Sequence, residues 1–226
     1  MSLLVKICGL STPEALNAAL DAGADMVGLV FHPRSPRYVG LERAAMLASQ
    51  ARGQARVVAL VVDADDDLLT AVRKAVGPDL WQLHGQEPPE RAAALRASLA
   101  GLTMKAIGVS VAADLTAVSP YAAVADRILL DAKPPKDALY PGGHGRPFDW
   151  DILKALDPRQ PFLLSGGLTP DNVHAAVRAV RGMGLSLTGV DVSSGVESAP
   201  GVKDPAKIKD FIAAARAAAA ERPSNA

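Results

Sequence analysis

Short apolar runs alternate with longer stretches whose apolar residues recur at helical spacing. Eight runs are short and apolar, at residues 3–7, 26–31, 56–62, 80–83, 103–108, 127–130, 161–164 and 186–192. Such runs are typical of parallel strands that are covered on both faces. Eight stretches have helical spacing, at residues 13–22, 41–51, 66–75, 89–99, 113–118, 149–156, 170–180 and 205–220. The pattern therefore predicts eight strand–helix units.

Helix-start signals support two of these helices. Thr12 and Thr169 each place a capping hydroxyl directly before a proline, which is favoured at the first helical position. We expect helices to begin at Pro13 and Pro170.

Eight units in 226 residues match a single (β/α)₈ TIM barrel over residues 1–220, followed by a frayed C-terminal tail at 221–226. A doubly wound open sheet produces the same alternation and remains the alternative. No linker or change of composition divides the chain. In both folds the chemistry takes place at the carboxyl ends of the strands.

Composition narrows the class of protein. Lysine plus arginine equals aspartate plus glutamate at 24 each, which gives no electrostatic case for nucleic acid or an anionic membrane. No apolar run reaches transmembrane length, and the N-terminal run is too brief for a signal peptide. A single cysteine cannot form an internal disulfide, which fits a reducing compartment. We therefore expect a cytoplasmic protein.

Two reactive side chains stand where predicted strands end. Cys8 follows the first run, and Asp131 follows the sixth. A free cysteine is often only a small buried hydrophobe, and an aspartate often caps a turn. At strand ends, however, both would face the same mouth and suit a base and an acid. Lys6 lies on the same strand face as Cys8 and is expected to lower the thiol pKa.

Glycine-rich loops follow the last two predicted strands. One contains Ser165, Gly166 and Gly167, and the other contains Ser194 and Gly195. A single glycine pair is compatible with a plain turn. In barrels, however, these two loops frequently bind phosphate through backbone N–H groups, and glycine permits close approach of the anion.

Further candidates lie in other loops. Arg37, stiffened by Pro36, suits a planar carboxylate through two parallel hydrogen bonds. His84 closes the fourth run and is either a ligand contact or a structural residue. The segment 134–147 is rich in glycine and proline and resembles an active-site loop. No metal-ligand spacing, Walker loop or dinucleotide motif is present, so we expect no metal and no cofactor.

Taken together, the motifs resemble the phosphoribosylanthranilate isomerase family of tryptophan biosynthesis. They occur in order from residue 4 to about residue 212, and the first and last are the most specific. The motifs are Lys6-Ile7-Cys8-Gly9-Leu10, residues 31–38, Gln82-Leu83-His84-Gly85, Leu130-Asp131, Gly142-Gly143-His144-Gly145 with Phe148-Asp149-Trp150, Ser165-Gly166-Gly167-Leu168 with Pro170 and Asn172-Val173, and Asp191-Val192-Ser193-Ser194-Gly195-Val196-Glu197 with Pro200-Gly201.

The resemblance implies a cofactor-free Amadori rearrangement of N-(5-phosphoribosyl)anthranilate on a single barrel. It implies that Cys8 is the general base, that Asp131 is the general acid, and that Arg37 holds the anthranilate carboxylate. It also implies a phosphate grip at Gly166, Gly167, Ser194 and Gly195, and substrate contacts at Lys6, His84 and Asp191. The partner is a small phosphoribosyl substrate, and the chain is expected to be a monomer or weak homodimer. His144 departs from the usual residue of its motif.

Two other functions remain open on the sequence. A related phosphosugar-barrel isomerase of histidine biosynthesis runs the same rearrangement, but it resembles a two-aspartate site, and Cys8 argues against it. A non-catalytic phosphate-binding barrel is the alternative from another class. Intact Cys8 and Asp131 argue against that alternative, and a turnover assay decides between them.

Overall fold

The chain forms a closed barrel of eight parallel strands in a computed structural model that describes residues 3–133 and 148–221. The strands are β1 (Leu4–Cys8), β2 (Met26–Val30), β3 (Arg56–Val61), β4 (Leu80–Leu83), β5 (Leu102–Val109), β6 (Arg127–Ala132), β7 (Phe162–Leu164) and β8 (Leu187–Val192). Strand β8 pairs with β1 and closes the barrel. The predicted TIM barrel is confirmed, and the open sheet is excluded.

Helices cover the outside of the barrel. The α-helices of the described residues are α1 (Pro13–Asp21), α2 (Leu41–Ala51), α3 (Asp66–Val76), α4 (Pro89–Ser98), α5 (Val118–Ala122), α6 (Val173–Gly182) and α7 (Pro205–Ala220). Two predicted helices differ. Residues Ala112–Ala117 form a 3₁₀-helix that leads into the single turn of α5, and Trp150–Ala155 is 3₁₀ throughout. At six residues each they are long for 3₁₀ geometry, which usually runs for about three or four residues.

The two predicted helix starts have different outcomes. The Thr12 side chain accepts a hydrogen bond from the Ala15 N–H, and α1 begins at Pro13 as predicted. Helix α6 begins at Val173, three residues later than the start predicted at Pro170. The cause is Asn172, whose side chain accepts from the Thr169 N–H and donates to the Gly167 carbonyl. Residues before Val173 are therefore held in a turn.

The interior of the barrel changes from apolar to polar along the strands. Its lower part is an apolar cluster of Met26, Val58, Leu80, Met104, Ala106, Leu129 and Leu163. Alternate residues of a strand face the same side, so Asp131 stands one step above Leu129 on β6. Lys6 and Gln82 are likewise fully buried on strands β1 and β4. The apolar layer therefore forms a floor beneath a buried polar layer.

A small hairpin that the sequence analysis did not anticipate follows β8. A 3₁₀ turn at Ser194–Val196 leads into β9 (Glu197–Ala199), which pairs antiparallel with β10 (Val202–Lys203). The strands are too short to show a hydrophobic period. Gly201 between them has a φ of +81°, a conformation that favours glycine.

Several predictions concern residues at the edge of the described ranges. The loop 134–147, with His144, lies outside them. Helix α7 ends at Ala220, and Glu221 forms an ion pair with Arg178 and lies 2.9 Å from His174 Nε2. The rest of the predicted tail, residues 222–226, also lies outside the described ranges. No helix of the described residues is long and apolar enough to cross a membrane.

Candidate active site

A cleft lies at the carboxyl ends of the barrel strands. It gathers nine of the ten sequence-predicted site residues: Cys8, Arg37, His84, Asp131, Gly166, Gly167, Asp191, Ser194 and Gly195. Lys6 is fully buried and does not line the cleft. Its position therefore argues against direct contact with a substrate and for an effect through its neighbours.

Cys8 is the last residue of β1 and is buried against two strands. A Cβ at Gly28 on β2 would lie 2.9 Å from the Cys8 Sγ and 3.3 Å from the Lys6 Nζ, so this glycine leaves space for both groups. The Lys6 Nζ donates to Asp191 Oδ1 at 2.6 Å, and the Ser165 hydroxyl donates to Asp191 Oδ2 at 3.0 Å. Both oxygens of Asp191 thus have a partner from within the barrel.

The ionisation of Cys8 differs from the expectation. Burial raises the pKa of the Cys8 thiol, and the positive charge of Lys6 offsets this only in part, because Asp191 adds to the rise. Lys6 lowers the pKa of the thiol as expected, but burial outweighs it and the net change is a rise. Burial also works against the charge of Lys6, but Asp191 and Cys8 outweigh it and hold the lysine pKa above its usual value. Lys6 is therefore charged while the thiol keeps its proton.

Asp131 stands close to the end of β6 and contacts His84. The His84 Nε2 lies 3.2 Å from Asp131 Oδ2, and the Ala132 N–H donates to Asp131 Oδ1 at 2.9 Å. On the other side of the ring, Gln82 Nε2 lies 2.9 Å from His84 Nδ1. When the amide donates there, the proton of a neutral imidazole stands on Nε2 and faces the carboxylate. His84 therefore lies where it can orient Asp131.

Arg37 reaches the cleft from the loop after β2. Its side chain lies against Gly9, where an added Cβ would come within 2.7 Å of the Arg37 Cδ. The carboxylate of Glu197 accepts two hydrogen bonds from one edge of the guanidinium. Arg37 Nε donates to Oε1 at 2.7 Å, and Arg37 Nη2 donates to Oε2 at 2.9 Å. Glu197 therefore fixes the orientation of the guanidinium at the cleft.

The two glycine-rich loops pack against each other and against β6. Gly166 and Gly167 have φ angles of +85° and +65°. A Cβ at Gly166 would collide with the backbone nitrogen of Ala132, and one at Gly195 would collide with the carbonyl oxygen of Leu168. The sequence interpretation explains these glycines by the approach of an anion. In the structure, glycine is already needed at both positions because the backbones of neighbouring segments pack too closely for a side chain.

Three residues of the site were not predicted from the sequence. Gln82 contacts His84, and Glu197 and Lys203 surround Arg37. Gln82 and Glu197 stand inside motifs that are recognisable in the sequence, whereas Lys203 carries no local signal. Among residues 3–133 and 148–221, no group of three or more His, Cys, Asp or Glu side chains is placed to hold a metal ion.

Comparison with known proteins identifies one family of sequences that matches nearly the whole chain. The family model for N-(5′-phosphoribosyl)anthranilate (PRA) isomerase matches residues 5–214. The N-(5′-phosphoribosyl)anthranilate isomerase of Afipia carboxidovorans is 60% identical over 218 residues, which cover 96% of this chain and 91% of that protein. The enzyme of the same name from Nitrobacter hamburgensis is 59% identical, over 96% of this chain and 95% of its own.

Solved structures share the barrel. Phosphoribosyl anthranilate isomerase from Thermotoga maritima has a TM-score of 0.83 and 37% identity, over 95% of this chain and 99% of its own. Another phosphoribosyl anthranilate isomerase, solved in complex with reduced 1-(o-carboxyphenylamino)-1-deoxyribulose 5-phosphate, has a TM-score of 0.79 and 33% identity, with the same coverage of 95% and 99%.

Proposed function

The chain belongs to the phosphoribosylanthranilate isomerase family, and we propose from that premise a role for each side chain of its cleft. The protein is an isomerase that converts N-(5′-phosphoribosyl)anthranilate to 1-(2-carboxyphenylamino)-1-deoxyribulose 5-phosphate in tryptophan biosynthesis. The observation that supports these roles best is the placement of Cys8 and Asp131. Both line one cleft, together with Arg37 and the paired glycine-rich loops.

Asp131 is the general acid of the first step. It donates a proton to the ring oxygen of the aminoribose, and the bond between that oxygen and C1′ breaks. The anthranilate nitrogen supplies the electron pair that forms a C=N bond to C1′, which gives a protonated Schiff base. His84, 3.2 Å away, holds the carboxyl group in its orientation beside the cleft.

Cys8 is the general base of the second step. Its thiolate takes the proton from C2′, and the C–H electrons form a C1′=C2′ bond while the nitrogen becomes neutral. The enolamine then gains a proton at C1′ and loses one from the C2′ hydroxyl, which gives the ketose. The positive Schiff base lies beside the thiol and favours its ionisation, which burial of the thiol opposes.

The buried ion pair of Lys6 and Asp191 places a positive charge near the Cys8 thiol. Lys6 provides a fixed positive charge close to the sulfur, and Asp191 holds that charge in place at 2.6 Å. Because Lys6 is fully buried, its charge is little screened by solvent. Lys6 therefore favours the thiolate without contacting the substrate.

The two ends of the substrate are bound by different parts of the cleft lining. Arg37 binds the anthranilate carboxylate, and the backbone of the loops at Gly166–Gly167 and Ser194–Gly195 binds the phosphate. The positions of these loops after β7 and β8 support this assignment.

Replacement of Arg37 by alanine should weaken substrate binding much more than catalysis. A buried charge pair with the carboxylate would be lost, and we expect KM to rise by the equivalent of about 2–5 kcal/mol. Steady-state kinetics on Arg37→Ala measures this. Arg34→Ala, an exposed arginine of the same loop, is the control and should leave KM unchanged. An unchanged KM in Arg37→Ala would refute the assignment.

A side chain at Gly195 should displace the phosphate loops. The Cβ of Gly195→Ala meets the Leu168 carbonyl, so one loop must move away from the other. We expect a higher KM and weaker inhibition by inorganic phosphate. Gly182→Ala is the control, since nothing lies near an added Cβ there. If Gly195→Ala retained wild-type phosphate inhibition, the phosphate would bind elsewhere.

The proposed chemistry is tested by turnover of the purified protein. N-(5′-phosphoribosyl)anthranilate is generated in situ, and its conversion is followed by fluorescence before and after exhaustive EDTA treatment. We expect equal rates in both samples. Activity that EDTA abolishes and Zn²⁺ or Mg²⁺ restores would contradict the cofactor-free mechanism, and absence of turnover would contradict the assigned roles.

We further propose that the chain is cytoplasmic and is a monomer or weak homodimer. A related structure from Thermotoga maritima describes monomers generated from a dimeric phosphoribosylanthranilate isomerase, so both states occur within one fold. Sedimentation equilibrium over a range of protein concentrations distinguishes these states from a tight oligomer.

A further inference from the structure

The hairpin β9–β10 carries a buried ion pair beside the cleft. Glu197 opens β9 and Lys203 closes β10, and the two residues face each other in the hairpin register. The Lys203 Nζ lies 2.7 Å from Glu197 Oε1, and both side chains are almost completely buried. Buried ion pairs are often no more stabilising than apolar residues of the same size, so this pair calls for a reason other than stability.

On one side, this pair holds Arg37. Each oxygen of Glu197 accepts two hydrogen bonds: Oε1 from Arg37 Nε and Lys203 Nζ, and Oε2 from Arg37 Nη2 and the Gly201 N–H. The hydrogen bonds and charges of Arg37 and Lys203 outweigh burial and lower the pKa of Glu197, so it is ionised at neutral pH. A fully bonded carboxylate cannot rotate, and it fixes the plane of the guanidinium.

On the other side, the pair holds the second glycine-rich loop. The Lys203 Nζ donates to the Ser193 carbonyl at 2.8 Å and lies 3.2 Å from its hydroxyl. That hydroxyl in turn donates to the backbone carbonyl of Cys8 at 3.2 Å. Ser193 directly precedes Ser194 and Gly195. One continuous set of bonds therefore runs from Arg37 through Glu197 and Lys203 to the loop after β8.

We propose that Glu197 and Lys203 are positioning residues that hold the carboxylate-binding arginine and the phosphate-binding loop at a fixed separation. The inference rests on the proposed function, because it takes Arg37 and the Ser194–Gly195 loop as the two ends of the substrate site. The hydrogen bonds agree with it: one carboxylate, Glu197, accepts from both Arg37 and Lys203 and so connects the two ends. Binding at either end then depends on the same pair.

The test compares binding of two small probes, one for each end of the site. Anthranilate and inorganic phosphate are used as separate competitive inhibitors of the wild type and of Glu197→Gln and Lys203→Met. We expect each variant to weaken inhibition by both probes by about tenfold, equivalent to ~1.4 kcal/mol, and to raise KM while kcat changes little. Arg37→Ala should weaken inhibition by anthranilate alone. Gly195→Ala should weaken inhibition by phosphate more than inhibition by anthranilate.

A double-mutant cycle separates positioning from simple stabilisation. In an Arg37→Ala background, Glu197→Gln should have no further effect on inhibition by anthranilate. It should still weaken inhibition by phosphate. Arg216→Met, which removes an ion pair with Asp25 remote from the cleft, controls for loss of stability and should leave both inhibition constants unchanged. If Glu197→Gln does not fold, Glu197→Gln with Lys203→Met removes both charges and is measured in its place.

The outcomes are distinct. Wild-type inhibition by both probes in folded Glu197→Gln or in the double variant would overturn the positioning role. A different result would contradict the proposed function instead. That result is unchanged inhibition by anthranilate in Arg37→Ala together with unchanged inhibition by phosphate in Gly195→Ala.

Discussion

Asp131→Asn should lower kcat by about 10²–10⁴-fold, the usual contribution of a general acid. The amide keeps the size and planarity of the carboxyl group but has no proton to transfer to the ring oxygen. Asp131 stands at the mouth end of β6 and, among residues 3–133 and 148–221, has two hydrogen-bonding contacts, with Ala132 and His84. We therefore expect the variant to fold normally and to bind substrate, and stopped-flow fluorescence measures its turnover.

The opposite end of the same strand offers a matched control. Asp126 directly precedes β6 and accepts hydrogen bonds from the Thr103 N–H and hydroxyl. Burial works against its charge, but these bonds and Arg96 lower the pKa of Asp126, so its ionised form stabilises the folded protein. Asp126→Asn should keep kcat and lose stability at neutral pH. That loss should shrink as the pH falls through the lowered pKa, because the wild type then also carries a neutral group.

A kcat of Asp131→Asn within tenfold of the wild type would remove this residue from the acid role. A large loss in Asp126→Asn as well would show that kcat reports the integrity of the barrel and not the chemistry at its mouth.

Cys8→Ser should lower kcat by a similar factor of about 10²–10⁴. The hydroxyl occupies the same place but does not ionise near neutral pH, so the C2′ proton has no acceptor. The pH profile gives a second readout. Because burial raises the pKa of the Cys8 thiol, the thiolate fraction grows as the pH rises through the neutral and alkaline range. The wild-type kcat/KM should therefore rise with pH over that range.

In Cys8→Ser this rise should disappear together with the activity. Circular dichroism and thermal unfolding control for the fold, since the substitution exchanges only sulfur for oxygen. Retention of the wild-type pH dependence by an active Cys8→Ser variant would mean that another group takes the proton.

The sequence predicts the barrel well because parallel strands covered on both faces must be apolar along their whole length. The run at 80–83 coincides with β4, and the run at 127–130 falls short of β6 by two residues. The missing residues are Asp131 and Ala132. The prediction follows apolar residues, so it ends the strand before Asp131. The real strand continues because the interior of the barrel becomes polar at this level.

The sequence predicts local geometry less well where a side chain competes with the helix. Asn172 delays α6 by bonding to Thr169 and Gly167. Asp114 accepts from the N–H groups of Ser110 and Val111 at the 3₁₀-helix that replaces a predicted α-helix. Such bonds depend on which rotamer the folded chain selects, and residue spacing does not show that.

The sequence cannot predict contacts between distant residues or the balance of charges. Glu197 meets Arg37 across 160 positions of the chain, and Lys203 joins them from a hairpin with no hydrophobic period. The presence of Lys6 near Cys8 was apparent from the strand period. The sign of the change in thiol pKa was not, because it depends on burial and on Asp191, 185 residues from Lys6.

Alkylation of Cys8 tests most directly whether this thiol is the base. It is the only cysteine of the chain, so the mass of the protein reports its modification without ambiguity. Iodoacetamide is added at several pH values, and the alkylated fraction and the residual turnover are measured in the same samples. We predict that the two change in equal proportion, that alkylation accelerates with pH as the thiolate forms, and that a bound product analogue protects the thiol. Fully alkylated, folded protein with undiminished turnover would contradict the mechanism.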